Sequence, residues 1–132
     1  IANSASIVAK DKKIRKIVKN FQKNCAYNPP DKFAGSVLDG RDITSVIMKK
    51  ATIKFYITAN INVRAKRRFK QLSDAGKEAS LDKITSQLAE RDKNDTNRKI
   101  SPLIAPPGSI EIDSSHLNVD RILDKILELY KI

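Results

Sequence analysis

Two short runs, Ile53-Lys54-Phe55-Tyr56-Ile57-Thr58 and Ile110-Glu111-Ile112-Asp113, constrain this chain more than any other feature. The first is β-branched and aromatic, the second alternates apolar with acidic, and both have strand length. Each leads into a helix. After the first, Asn60 or Asn62 can cap a helix carrying Val63, Arg64, Arg67, Arg68 and Leu72, which Ser73-Asp74-Ala75-Gly76 breaks. Ser80 can cap the next, with Leu81, Ile84 and Leu88 on its apolar face and Arg91 and Asp95 extending it. Pro102, Pro106 and Pro107 make 101–108 an irregular loop. After the second run, Asn118 caps a last helix with Val119, Ile122, Leu123, Ile126, Leu127 and Tyr130 at helical period, and Asp120 near its positive end.

The amino-terminal part reads similarly. Ile14, Ile17, Val18 and Phe21 recur on one face of a helix predicted over about Ser4–Asn24, and Asn28-Pro29-Pro30-Asp31 ends it. Ser36-Val37-Leu38-Asp39 is predicted as a strand closed by Asp39-Gly40. The order is helix, strand, strand, helix, helix, strand, helix. Such alternation argues an α/β layer fold with a mainly parallel sheet flanked by helices. Ligands in such folds sit beyond the carboxyl ends of the strands, which points to Asp39-Gly40-Arg41-Asp42.

At 132 residues, 40% hydrophobic and 31% charged, the chain suits one soluble domain. No apolar run approaches the roughly 20 residues that span a membrane, and no signal-peptide pattern appears. One cysteine, Cys25, excludes an internal disulfide, and with one histidine, His116, a Cys/His metal cage is excluded too. A Ser-His-Asp site would need His116, which sits beside Ser114 and Ser115 in a loop, and is set aside. The expected location is the cytoplasm. The first residue, Ile1, has no cleavage signal to explain it, so a portion of a longer protein is expected. A net charge of +11 selects anionic partners.

Gly35-Ser36-Val37-Leu38-Asp39-Gly40 spells G-x-x-x-x-G, but Arg41-Asp42 follows where a phosphate loop has Lys-Ser/Thr. The match is rejected, and no P-loop remains. Asp39 instead ends an apolar run, the form of a carboxylate near a nucleotide-bound metal, and equally that of a common Asp-Gly turn. Arg41 between Asp39 and Asp42 offers a forked donor for an oxyanion. Arg91, Asp95 and Arg98, spaced i, i+4, i+7, share one face if helical. Asp95 can then orient one arginine while the other takes a phosphate, or all three are a solvated, salt-bridged face. Arg64, Arg67 and Arg68 form a further basic cluster.

Four segments resemble bacterial cytidylate kinases. Gly35 to Ile47 resembles the family's G-x-V-x-D-G-R-D-[IM]-G-T-V-V, and Arg67-Arg68-Phe69-Lys70-Gln71-Leu72 its R-R-x-x-Q-L. Glu90 to Leu103 resembles E-R-D-x-x-D-x-x-R-x-x-x-P-L, and Asn3 to Ala9 with Arg15 resembles N-x-A-S-x-V-A…R. The closing Ile112-Asp113-Ser114-Ser115 and Leu117-Asn118-Val119 are similar too, so the likeness runs the length of the chain. Thr44 and Ser45 depart from the family's Gly-Thr, a change expected to stiffen the turn. The larger departure is at the front, where the family has a first strand and a P-loop.

The resemblance implies a nucleoside-monophosphate-kinase fold without its first strand and P-loop. Residues 1–132 would be the C-terminal portion of the core, with a helical lid over about 64–102. It implies phosphoryl transfer from ATP, with Mg2+, to CMP or dCMP, by a chain inactive when alone. Ser6, Arg15 and Asp42 would read the cytosine, and Arg41 and Arg98 would hold the monophosphate. Arg91 and Asp95 would contact the sugar or brace the lid, Arg67 would approach the transferring phosphate, and Asp39 would stand in the metal's second shell. A monomer that binds neither nucleic acid nor membrane is expected. The rival readings are a basic nucleic-acid-binding module, weakened by an aromatic content of only 5%, and an inactive fragment that associates through an exposed sheet edge.

Overall fold

The computed structural model describes residues 11–130. The chain divides after Ala51 into two compact units.

The first unit opens with helix α1, Lys12–Tyr27. Asp11 caps it, its carboxylate accepting from Lys13 N at 2.7 Å and Ile14 N at 3.1 Å. The helix outruns its predicted end by three residues and stops where Asn28 precedes the two prolines. Its apolar face is real in pattern but not buried: among the described residues nothing covers Ile17 or Phe21, which are 69% and 67% exposed.

The strand predicted at Ser36–Asp39 is not formed. A strand needs a ladder partner, and the described sheet contains only the two strands of the second unit. Val37 is fully exposed, while the Ser36 hydroxyl donates to the Ala26 carbonyl at 2.9 Å and ties the segment to the end of α1. A π-helical turn over Ile43–Ile47 follows, which sequence reading did not anticipate. Its wide pitch lets the Asp42 carbonyl accept from both Val46 N and Ile47 N, at 2.9 and 3.1 Å. Ile43, Ile47 and Met48 are buried together, with Ala26, Leu38 and Ala51 against them. Gly40 is required here, because a Cβ would stand 2.9 Å from Ile43 Cγ1.

The second unit holds the predicted strand–helix alternation. Strand β1, Phe55–Thr58, pairs in parallel with β2, Ile110–Asp113, in the register Phe55 to Ile110 through Thr58 to Asp113. The first run was expected to start at Ile53; the ladder begins two residues later, where Ile110 N donates to the Lys54 carbonyl. Asn60, not Asn62, caps helix α2, Ile61–Asp74. That helix closes over Gly76, whose φ of 66° suits glycine, with Lys77 N returning to the Leu72 carbonyl. Ser80 caps α3, Leu81–Asn97, and the Asn118 side chain accepts from Arg121 N at the start of α4, Val119–Tyr130.

Ala65 and Ile112 are completely buried and Ile84 nearly so, which places the packed centre of this unit among α2, α3 and β2. Helix α4, like α1, buries no side chain despite its strong amphipathicity. Ile112→Ala should therefore destabilise this unit by about 2–5 kcal/mol in urea unfolding, as large-to-small changes at full burial do. Ile57→Ala, at a residue 52% exposed, should cost far less. Equal losses would show that Ile112 is not at the packed centre.

Candidate functional site

In the first unit, the capped start of α1 sets Arg15 one turn into the helix, and the π-helical turn fixes Asp42 at its own entrance. Arg15 Nη2 meets Asp42 Oδ2 at 2.8 Å, with the side chains 25% and 15% exposed. This sheltered contact orients the carboxylate, and a carboxylate so placed offers oxygen acceptors to a ligand. Arg41 lies alongside in sequence and is half-buried, whereas Asp39 is exposed. Ser6 lies outside the described residues.

In the second unit, Asp95 is the hub of the predicted triad. Arg98 Nη1 lies 3.6 Å from Oδ1 and Arg91 Nε 3.9 Å from Oδ2. The expectation of one continuous helical face needs correction. Helix α3 ends at Asn97, and Arg98 is its extended C-cap, with φ −66° and ψ 136°. The side chain still reaches Asp95 because the chain folds back: Leu103 N donates to the Asp95 carbonyl at 2.8 Å, and Arg98 Nε donates to the Ser101 carbonyl. Ser101, buried and at φ 55°, makes this bend in a conformation uncommon for a residue with a side chain. Arg98 Nη2 is buried without a hydrogen-bond partner among the described residues. Such a donor is costly to leave unmet, and an anion's oxygen would satisfy it.

Two further arginines of α2 are committed to the frame. Arg67 Nη2 donates to the carbonyls of Ser114 and Leu117, at 2.6 and 3.0 Å, in the turn after β2. Arg64 donates through Nε to the Ala59 carbonyl at 3.0 Å and, through both Nη atoms, to the two oxygens of Asp92 at 3.0 and 2.6 Å. That hydrogen-bonded carboxylate raises the Arg64 pKa further above its ordinary value. Sequence reading placed Arg64 in a basic cluster and Asp92 in the Glu90–Leu103 motif but did not pair them. No local spacing signals a pair 28 positions apart.

The carboxyl ends of β1 and β2 open onto a shallow depression of about 530 Å3, lined among others by Asn60, Asp113, Ser115 and His116. Ser115 donates to Asp113 Oδ1 through its hydroxyl at 2.6 Å and its N–H at 2.8 Å, while Asn60 N donates to the Ser115 hydroxyl at 2.8 Å. These bonds stabilise the charged carboxylate and hold the exposed Asp113 below the usual range. Among the described residues no three His, Cys, Asp or Glu side chains converge to hold a metal ion, and no helix is long and apolar enough to cross a membrane.

The family model described as cytidylate kinase matches residues 1–132. The chain belongs to the cytidylate kinase family. A cytidylate kinase of Mycoplasmoides gallisepticum is 42% identical over 131 residues, covering 99% of this chain and 56% of that protein. One from Fervidobacterium nodosum is 38% identical over 127 residues, covering 96% and 56%. A third, from Desulforamulus reducens, is 36% identical over 127 residues. The chain thus spans about half the length of the curated relatives it matches.

Membership in the family does not by itself explain the Asp113 cluster, which is open to a direct test. Ser115→Ala should raise the Asp113 carboxyl toward the ordinary carboxylate range in an NMR pH titration. A folded-state pKa held low contributes stability above the unfolded-state value, and that stability is lost as pH falls through the folded value. The stability gap between the parent chain and the variant should therefore narrow in acid. An unshifted Asp113 would show that the Ser115 hydroxyl bond to it does not form in solution.

Proposed function

We propose that this chain carries the acceptor-nucleotide side of a cytidylate kinase, taking part in phosphoryl transfer from ATP to CMP or dCMP. What carries the reading is the family match along all 132 residues. The sheltered Arg15–Asp42 pair supports it chemically. Asp42, an acceptor-only carboxylate oriented by Arg15, takes the exocyclic amine of cytosine and refuses the carbonyl that uracil presents there. Ser6, outside the described residues, is the remaining base-reading candidate.

Arg41 and Arg98 hold the monophosphate, and the unmet Arg98 Nη2 is the donor available for it. Arg91 and Asp95 contact the sugar or brace residues 64–102, which act as a lid. Within that segment cations outnumber acids, so bound phosphates supply the counter-charge for closure. Arg67 reaches the transferring phosphate by exchanging the Ser114 and Leu117 carbonyls for phosphate oxygens. Mg2+ enters with ATP as substrate, and the exposed Asp39 would stand in its second shell. Phosphoryl transfer needs positioning and charge neutralisation rather than a covalent nucleophile.

Two outcomes are expected of the 132-residue chain. Its sequence has no G-x-x-x-x-G-K-[ST] loop to cradle the β- and γ-phosphates, so a coupled ADP assay should show no CDP formation above background. CMP should nevertheless raise its thermal midpoint, while UMP and single-stranded DNA should not. Asp42→Ala should erase the preference of CMP over UMP, a loss of about 1–3 kcal/mol in binding. Protection by single-stranded DNA alone would instead favour a nucleic-acid-binding module.

A further inference from the structure

The rear half of α3, which carries Arg91 and Asp95 and leads into Arg98, has almost nothing apolar to hold it. Ile84 is the only buried residue of α3, Leu88 is half-buried, and from Glu90 to Asn97 every residue is polar or charged. Hydrophobic packing therefore fixes the front of this helix and leaves its rear to polar contacts. Of those, the Leu103 N–H and the Ser101 carbonyl belong to the loop that directly follows the helix. The Arg64 fork does not. It joins Asp92, three residues before Asp95, to the Ala59 carbonyl just beyond the end of β1.

Geometry favours a clamp over a passing surface pair. Both Nη atoms engage both carboxylate oxygens while Nε holds a backbone carbonyl on the other side. Both side chains are 33% exposed, so the pair is only partly open to water. Arg64 lies in the first turn of α2 behind the Asn60 cap, where the start of the helix is already fixed. A planar fork with three partners sets direction as well as distance, which a lysine could not do.

Resting on the cytidylate kinase reading above, we propose that Arg64 is a positioning residue. Through Asp92 it fixes the rear of α3 against the end of β1, so that Asp95 and Arg98 meet the nucleotide in register. It touches no substrate itself.

The test uses the 132-residue chain throughout. In amide hydrogen exchange, Arg64→Ala and Asp92→Asn should each speed exchange across residues 90–97 at least tenfold and leave 84–88 unchanged. Arg64→Lys should be intermediate. In calorimetric titration, Arg64→Ala should weaken CMP binding about tenfold, but in an Arg98→Ala background it should weaken it no further. That loss of additivity is what a merely structural residue would not produce. Unchanged exchange at 90–97, a uniform rise across the second unit, or fully additive losses would overturn the proposal. A parent chain that does not bind CMP would refute the functional reading, and the exchange pattern would still decide whether the clamp exists.

Discussion

Most of the second unit depends on one short parallel pairing. Registering Thr58 against Asp113 brings the exits of both strands to the same edge. The start of α2 and the turn before α4 then lie side by side. From that adjacency come the Asn60 to Ser115 hydrogen bond, the Ser114 hydroxyl and N–H that both donate to the Thr58 carbonyl, and the carbonyls that receive Arg67. A slip of one residue would turn Ile112 away from its buried position and scatter all of these contacts. Only four residues per strand secure the register, so the side-chain bonds at the exits extend the ladder where its backbone ends.

The surplus of positive charge is not spread evenly over purposes. Arg64 and Arg67 are bound to backbone carbonyls and, for Arg64, to a carboxylate, and these contacts build the frame. Arg98 divides itself, giving Nε to Ser101 and Nη1 to Asp95 while Nη2 is buried and unmet among the described residues. Lysines such as Lys66 and Lys70 are simply exposed, and raise the local potential without fixing any geometry. A count of basic residues therefore overstates the number that can recognise an anion with direction.

Local chemistry in the sequence was a sound guide wherever local chemistry decided the structure. Asn60, Ser80 and Asn118 cap helices because a short polar side chain satisfies an orphan N–H in any context. The runs at 53–58 and 110–113 became strands because they found each other. Ser36–Asp39 has strand-like residues too, yet a strand is a property of a pair, and no described backbone pairs with it. The π-helical turn was hidden for a similar reason: its hydrogen bonds follow from burying Ile43, Ile47 and Met48 together, which no single window reveals. Of the candidate site, the pairs within seven residues at the end of α3 and its C-cap were readable from spacing. Arg15–Asp42 was legible only through family resemblance, and Arg64–Asp92 not at all, since contact order of that size is set by packing.

The two sets of candidate nucleotide-binding groups are held by different physics, and the difference suits their proposed tasks. Asp42 sits at the mouth of a turn anchored by three buried apolar side chains, so moving it means disturbing a packed cluster. Distinguishing an amine from a carbonyl requires that rigidity, because the discrimination is lost once the acceptor can step aside. Arg91, Asp95 and Arg98 ride on a helix end and a loop secured by hydrogen bonds and ion pairs, which exchange for water or for phosphate at little net cost. Gripping a phosphate needs charge and several donors, and the proposed Arg64–Asp92 clamp would set their helix in register from the neighbouring one. With the clamp holding the helix, the contacts around Asp95 and Arg98 are the ones that could exchange partners for a phosphate in the proposed role.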